Sequence, residues 1–379
     1  MARGSARSAV PVVGMVGGGQ LARMTHQAAI ALGLSLRVLA DRVDDAAALV
    51  SPDVELGAAD DLAAVSRFAK ACDVVTFDHE HVPPDHLRTL QGDGITLRPG
   101  PDALLHAQDK LVQRRRLTEL GLPVPASAPV STSEDVAGFA EEHGWPVVLK
   151  AVRGGYDGRG VWMLSELPDQ LPDVPLYVEE RVLIMHELAV QVARRPSGEM
   201  RTWPAVETVQ QDGICVEVVA PAPRISPALA AEADRIARQL AEELDVTGLL
   251  AVELFGAPGG LVVNELAMRP HNSGHWSIEG SRTSQFEQHL RAVLDWPLGD
   301  TGVLAPVSVM VNLLGGEHTD FATTLPAALG AVPEAGVHLY GKAPRPGRKL
   351  GHVTVLGNDL VTARDRAREA VRILRGDEQ

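Results

Sequence analysis

Glu253 and Glu265 stand in two apolar stretches, "LLAVELF" and "LVVNEL", on either side of "GAPGG". Aliphatic runs around a Gly/Pro turn read as a hairpin. Paired symmetrically about Gly259, the strands set the two carboxylates opposite each other on one face. Carboxylates that close repel unless they share a proton or hold a divalent cation, and hard oxygen ligands suit Mg2+. The following "RPHNSGHW" places Arg269, His271 and Asn272 on an irregular, glycine-containing loop. A guanidinium fork beside a neutral imidazole and an amide suits a small planar oxyanion such as a carboxylate or bicarbonate. His271 and His275 have the i, i+4 spacing of a zinc pair, but Asn272, Ser273 and Gly274 disfavour the helix that would align them.

The stretch "VVLKAVRGGYDGRG", residues 147–160, points to phosphate. Lys150 ends an apolar run, and the loop of Gly154, Gly155, Gly158 and Gly160 follows it, the reverse of the P-loop order. Glycines let backbone N–H groups approach phosphate oxygens while Lys150 and Arg159 neutralise charge. A third glycine run, "GGGQLA" at residues 17–22, fits the G-x-G-x-x-A dinucleotide fingerprint, with Asp41 at the distance expected of a ribose ligand. The same turn also serves strand-to-helix packing or another phosphate. A nicotinamide-dependent oxidoreductase would leave the paired glutamates and the second glycine loop without a purpose. Two further clusters have plain alternatives: "APRPGRKLGH", with Arg345, Arg348 and Lys349, reads by default as a solvated basic turn, and "HEH" at residues 79–81 as either metal ligands on a strand face or pocket-lining histidines.

These residues need scaffolds. Over the first hundred residues, "VVGMVGGG", "QLARMTHQAAIALG", "LSLRVLA" and "DLAAVSRFAKACDVVTF" alternate strand and helix, which predicts a parallel sheet flanked by helices. Gly100 and Pro101 introduce one helix, "DALLHAQDKLVQRRRLTEL". Ser131 and Glu134 have capping-box spacing ahead of a helix and the strand "VVLK", and Ser226 with Pro227 opens "PALAAEADRIARQLAEEL". The last 80 or so residues read as a small β-rich unit with a terminal helix, "ARDRAREAVRILRG".

A formal charge of -14 opposes general binding to nucleic acid or an anionic membrane, so an anionic substrate must meet a local cationic pocket. With only Cys72 and Cys215, a disulfide framework is excluded and a reducing cytoplasm is the simpler setting. The N-terminus reads as a frayed tail before a buried strand, and no apolar run approaches a membrane span.

Taken in order, "GGGQLARM", "LLHAQDKLVQRRRL", "VLKAVRGGYDGRG", "YVEERV", "VELF", "NELAMRPHNSGHW" and "RPGRKLGH" resemble the 5-(carboxyamino)imidazole ribonucleotide synthases of the ATP-grasp superfamily over nearly the whole chain. The resemblance implies an α/β and α+β multidomain fold: a Rossmann-like domain at 1–103, an ATP-grasp domain at 104–300 and a small β-rich C-terminal domain at 301–379. It implies that Lys110, Lys150 and the loop residues Gly155, Tyr156, Asp157, Gly158, Arg159 and Gly160 contact ATP, with the backbone of Glu179, Glu180, Arg181 and Val182 at adenine. Glu187 would bind the ribose, with Gln210 and Asn264 also in the ATP site, and Glu253 and Glu265 would bridge Mg2+ to the phosphates. Arg269, His271 and Asn272 would orient carboxyphosphate, formed from bicarbonate and ATP. Tyr156, Arg159, Arg348, Lys349, Gln20 and Glu80 would hold 5-aminoimidazole ribonucleotide, whose exocyclic amine is carboxylated. A cytoplasmic homodimer is implied as well. Two departures from the family pattern stand out: "TFDHEHV" replaces a Glu-rich segment, so that Asp78 and His81 differ around Glu80, and Lys110 stands where arginine is common. A non-catalytic nucleotide sensor would have no need of "RPHNSGHW", and another ATP-grasp carboxylase or a formate-using ligase would be told apart by its amine acceptor.

Overall fold

The computed structural model describes residues 10–155, 158–316 and 319–377. Its N-terminal part is a four-stranded parallel sheet in the order Val54–Leu56, Ser35–Ala40, Val12–Val16, Val74–Phe77. Hydrophobic runs such as "VVGMV" are buried on both faces, as parallel strands between helices must be. The helix Gln20–Ala31 starts at the glycine turn after the first strand and closes at Gly33, whose φ of +67° favours a residue without Cβ.

Two further sheets form the centre. A four-stranded antiparallel sheet runs Ser127–Val130, Leu176–Glu180, Val147–Ala151, Val161–Leu164, with the helix Ser133–His143 packed on it through Val136, Phe139 and Ala140. The capping box that starts this helix is Thr132 with Asp135, one residue beyond the expected Ser131 and Glu134, because Asp135 also reaches back to the Ser131 and Thr132 N–H groups. A nine-stranded sheet contains the hairpin Gly248–Ala257 and Gly260–Ala267 at one edge, then His186–Arg194, Val206–Gln211 and Ile214–Ala220. It continues without a break into Val307–Leu314, Lys349–Gly357 and Gly336–Leu339 of the C-terminal part. Against its even-numbered positions, Leu188, Val190, Val252 and Leu254, packs the helix Pro227–Glu243, burying Ile236 and Leu240 completely. Each such side chain contributes roughly 1.5–3 kcal/mol by leaving water.

Some elements differ from expectation. The long helix after Gly100 is two, Pro101–Gln108 and Lys110–Glu119, broken at Asp109, whose carboxylate caps the second by accepting the Val112 N–H at 3.0 Å. The helix Phe321–Ala331 carries Pro326 inside it, a residue that argues against a helix in sequence. "HEH" lies on a bend beyond the strand Val74–Phe77, not on a strand face.

Candidate active site

The hairpin does bring Glu253 opposite Glu265, but not by symmetry about Gly259. Near the turn Leu254 faces Val263 and Ala257 faces Gly260, so the strands pair about Pro258 and Gly259 together. One extra residue, Asn264, is then inserted as a β-bulge. Its consequence is parity. Leu261 and Val263 point into the core beneath the sheet, and strict alternation would send Glu265 there too. With the bulge, Leu266 and Met268 take the core positions, and Glu265 joins Glu253 on the cleft face.

Both carboxylates open onto the cleft, with 29% and 41% of their side chains exposed. Burial by the surrounding protein and the nearby Glu265 push Glu253 up to about 7. Burial would raise Glu265 as well, but Lys110, with Nζ 2.5 Å from Oε1, holds it below its ordinary value. Glu265 is thus neutralised by direct contact with a lysine, whereas Lys110 and Lys349 act on Glu253 through their fields, and the pair is a donor set that fits a divalent cation. Among the described residues no group of three or more His, Cys, Asp or Glu side chains is placed to hold a metal ion. Two carboxylates suit Mg2+, which keeps several waters and takes its other ligands from substrate phosphates.

Arg114, which the sequence reading passed over, ties the cleft together. It is 2% exposed and donates from Nη2 to the Asn264 carbonyl at 2.7 Å, satisfying a backbone group that the bulge leaves unpaired. Its Nε meets Glu179 Oε1 at 2.5 Å, and Lys150 Nζ takes Oε2 of the same carboxylate at 2.6 Å. Burial opposes the charge on Glu179, but Arg114 and Lys150 hold its pKa below the ordinary value. The Glu179 side chain, expected to contribute only backbone, is therefore a buried strut between the two central sheets. A signal for Arg114 existed: with Lys110 it forms an i, i+4 pair, hence one helix face. The three consecutive arginines at 114–116 hid which one mattered.

The glycine loop is anchored to the helix break. Lys110 N–H donates to the Val152 carbonyl at 3.0 Å, and Arg153 donates to Asp109 Oδ2 at 3.1 and 2.8 Å. Gly158 has φ +75°, a conformation that favours glycine, and a Cβ there would press on the backbone of Asp212 and Gly213 at 3.2–3.3 Å. Tyr156 and Asp157 lie outside the described residues. Glu180 accepts the Ala126 N–H at 3.0 Å. Across the cleft floor, Glu187 is raised by burial and bonded to Gln210, another residue assigned to the ATP site.

Arg269, His271 and Asn272 share one loop beside the glutamates. Arg269 Nε lies 2.9 Å from Glu80 Oε1, a contact between the N-terminal and central parts of the chain. His271 is pushed down to about 3, first by burial and then by Arg269, so it is neutral at physiological pH. Its Nδ1 accepts the Ser273 N–H at 3.3 Å, which places the proton on Nε2, 3.6 Å from Glu253 Oε1. Asn272 Nδ2 is a buried donor with no acceptor among the described residues. His271 and His275 do not face one another as metal ligands: their Nδ1 atoms bond Ser273 and Gln285 respectively.

From the C-terminal part, Lys342 reaches Gln20 Oε1 at 2.5 Å. Lys342 was not singled out in sequence, because it precedes the obvious basic run. Lys349 adds positive field at Glu253, His271 and Lys342, and Arg348 adds it at Lys342, whereas Arg345 is exposed. The dinucleotide reading fails sterically. Asp78 Oδ2 accepts the Gly19 N–H at 2.5 Å and Oδ1 the Ala22 N–H at 3.2 Å, so the chain's own carboxylate fills the helix N-terminus where a pyrophosphate would sit.

Comparison with known proteins matches this arrangement from end to end. Residues 10–108 match a ribonucleotide synthetase preATP-grasp domain, 115–286 an ATP-grasp domain, and 308–366 a phosphoribosylaminoimidazole carboxylase C-terminal domain. The N5-carboxyaminoimidazole ribonucleotide synthase of Mycobacterium tuberculosis is 55% identical over 94% of this chain and 86% of that one. The chain belongs to the N5-carboxyaminoimidazole ribonucleotide synthase family. Solved members of that family superpose closely. An ADP complex, 33% identical, has a TM-score of 0.89 over 99% of this chain and 100% of that one. The Aspergillus clavatus enzyme with ADP and 5-aminoimidazole ribonucleotide, 34% identical, has a TM-score of 0.88 over 96% and 98%. In this synthase-family chain the departing Asp78 accepts the Gly19 and Ala22 N–H groups and the departing Lys110 meets Glu265, while Glu80, between Asp78 and His81, meets Arg269. No helix among the described residues is long and apolar enough to cross a membrane.

Proposed function

We propose that this chain carboxylates the exocyclic amine of 5-aminoimidazole ribonucleotide, using ATP and bicarbonate, in de novo purine synthesis. The observation that supports the reading is the contact between Arg269, on the loop that follows the glutamate hairpin, and Glu80 of the N-terminal part. Lys110, Lys150 and the backbone of the glycine loop cradle the triphosphate, while residues 179–182, Glu187 and Gln210 receive the nucleoside. Glu253 and Glu265 would hold Mg2+, which when bound neutralises charge developing on the transferring phosphoryl group.

A bicarbonate oxygen attacks the γ-phosphorus, the bond to the β-phosphate oxygen breaks, and ADP leaves. Arg269, the Asn272 amide and Nε2–H of His271 donate to the resulting carboxyphosphate. Its carboxyl proton passes to the phosphate as the C–O bond breaks, releasing CO2 and hydrogen phosphate. The exocyclic amine then attacks CO2 and loses one proton to give the carbamate. Lys342, Arg348, Lys349, Arg159, Gln20 and Glu80 hold the ribonucleotide, Tyr156 is assigned to it and to ATP, and Asp157 to ATP. Closure matters because carboxyphosphate is labile in water.

The proposed units are 1–103, 104–300 and 301–379. Low cysteine content suits a cytoplasmic setting, and sedimentation velocity tests the homodimer that the resemblance implies. The functional test is ADP release from MgATP and bicarbonate with and without 5-aminoimidazole ribonucleotide, in wild type and Arg269→Ala. Stimulation by the ribonucleotide, lost in the variant, is expected. Absence of stimulation in a wild-type enzyme that still binds ATP would overturn the acceptor assignment.

A further inference from the structure

Behind the oxyanion loop lies a buried polar chain that the reaction scheme leaves unused. It starts at Gln285, which is fully buried. Gln285 Oε1 accepts the His271 N–H and the Gln191 amide, each at 2.9 Å, and Nε2 donates to the His271 carbonyl at 2.8 Å and His275 Nδ1 at 2.9 Å. All four hydrogen-bonding capacities of the amide are filled, so this end is rigid.

The chain then leaves the central part. The His275 ring lies tilted against His352 at 4.9 Å, and His352 stacks 4.6 Å from His338, whose Nε2 is 2.5 Å from Glu279 Oε1. His352 Nδ1 and the Tyr340 hydroxyl share a hydrogen bond of 2.8 Å. Tyr340, 1% exposed, packs with Leu21 and Met24 of the first helix and with Phe286 beside Gln285. Two residues beyond it, Lys342 reaches Gln20. His352 is itself three residues from Lys349 on one strand.

We propose that Tyr340 and His352 are positioning residues that set the distance between the oxyanion loop and the cations Lys342 and Lys349. In this way they couple ATP cleavage to carboxylation of the amine. The pair touches no substrate. It acts because a CO2 molecule released at residues 269–272 is captured only when the ribonucleotide, held from the other side, presents its amine at once. This inference rests on the function proposed above.

Tyr340→Phe tests it, since the ring and its packing stay and one hydrogen bond is removed. The expected result is a ratio of ADP to carboxylated product rising from one to several, and a KM for the ribonucleotide raised roughly 5-fold, with the KM for ATP unchanged within twofold. Phe286→Leu loosens the same cluster without touching the bond, and serves as the packing control. Coupling retained in Phe286→Leu but lost in Tyr340→Phe supports the inference. A wild-type ratio in Tyr340→Phe, or equal uncoupling in both variants at similar melting temperature, would overturn it. Lack of ribonucleotide stimulation in the wild type would instead sink the functional reading, so the two failures are distinct.

Discussion

Arg114→Met is the most informative perturbation of the cleft. Methionine keeps the apolar stem but removes Nε from Glu179, Nη2 from the bulge carbonyl at Asn264 and Nη1 from Gln113 Oε1. Breaking a buried ion pair by deleting one partner costs about 3–5 kcal/mol, because the other charge stays desolvated. Lys150, 2.6 Å from the same carboxylate, still compensates part of that charge, which argues for the lower end. The orphaned carbonyl adds roughly 1–3 kcal/mol. The expected loss is therefore about 4 kcal/mol, and at roughly 2 °C per kcal/mol for a chain of this size the melting temperature falls by about 8 °C. Adding Glu179→Gln removes the stranded charge, so the double variant recovers about half of the loss. Calorimetric melting of the wild type and the two variants in ADP-free buffer gives the numbers. A single variant melting within 2 °C of wild type, or a double variant melting below the single, would refute the strut assignment.

Two other outcomes follow from the geometry. Gly19→Ala sets a methyl against the Asp78 carboxylate, displacing it from the Gly19 and Ala22 N–H groups; a loss of about 2–3 kcal/mol is expected, read as a lower urea midpoint, and an unchanged midpoint would remove Asp78 from its capping role. His289, fully buried and bonded to Thr76 Oγ1 at 2.8 Å, is pushed down to about 3 by burial, so between pH 6.5 and 3 the unfolded chain binds the extra proton. Its contribution is complete above the unfolded value near 6.5 and is lost as pH falls, by about 1.4 kcal/mol per pH unit and about 5 kcal/mol in total. His289→Gln should flatten the acid limb of stability against pH by about one proton, and parallel limbs in the two proteins would contradict this.

The sequence by itself determined the chemistry and the element types around it. Lys150 before a glycine loop, two glutamates on flanking apolar runs and "RPHNSGHW" are local patterns, and local patterns survive without knowledge of the fold. Periodicity gave the helices and strands that flank the motifs, but the break at Asp109 and the proline-containing helix Phe321–Ala331 went against it, where a cap or packing overrides propensity, and the helix Pro84–Gly92 and the central strands His186–Arg194, Val206–Gln211 and Ile214–Ala220 were not read from sequence at all.

Only the tertiary structure decided which face each side chain meets. The bulge at Asn264 re-aims Glu265, and nothing in "LVVNEL" announces an inserted residue, since alternation and bulge read alike over so few positions. Glu80 beside Arg269, Gln20 beside Lys342 and Arg114 beside Glu179 join residues 65 to more than 300 positions apart, and sequence separation carries no record of such contacts. Asp78 shows the same physics in reverse. The glycine turn kept the spacing of a dinucleotide site, and a carboxylate from another strand, brought there by the parallel sheet, filled the anion site first.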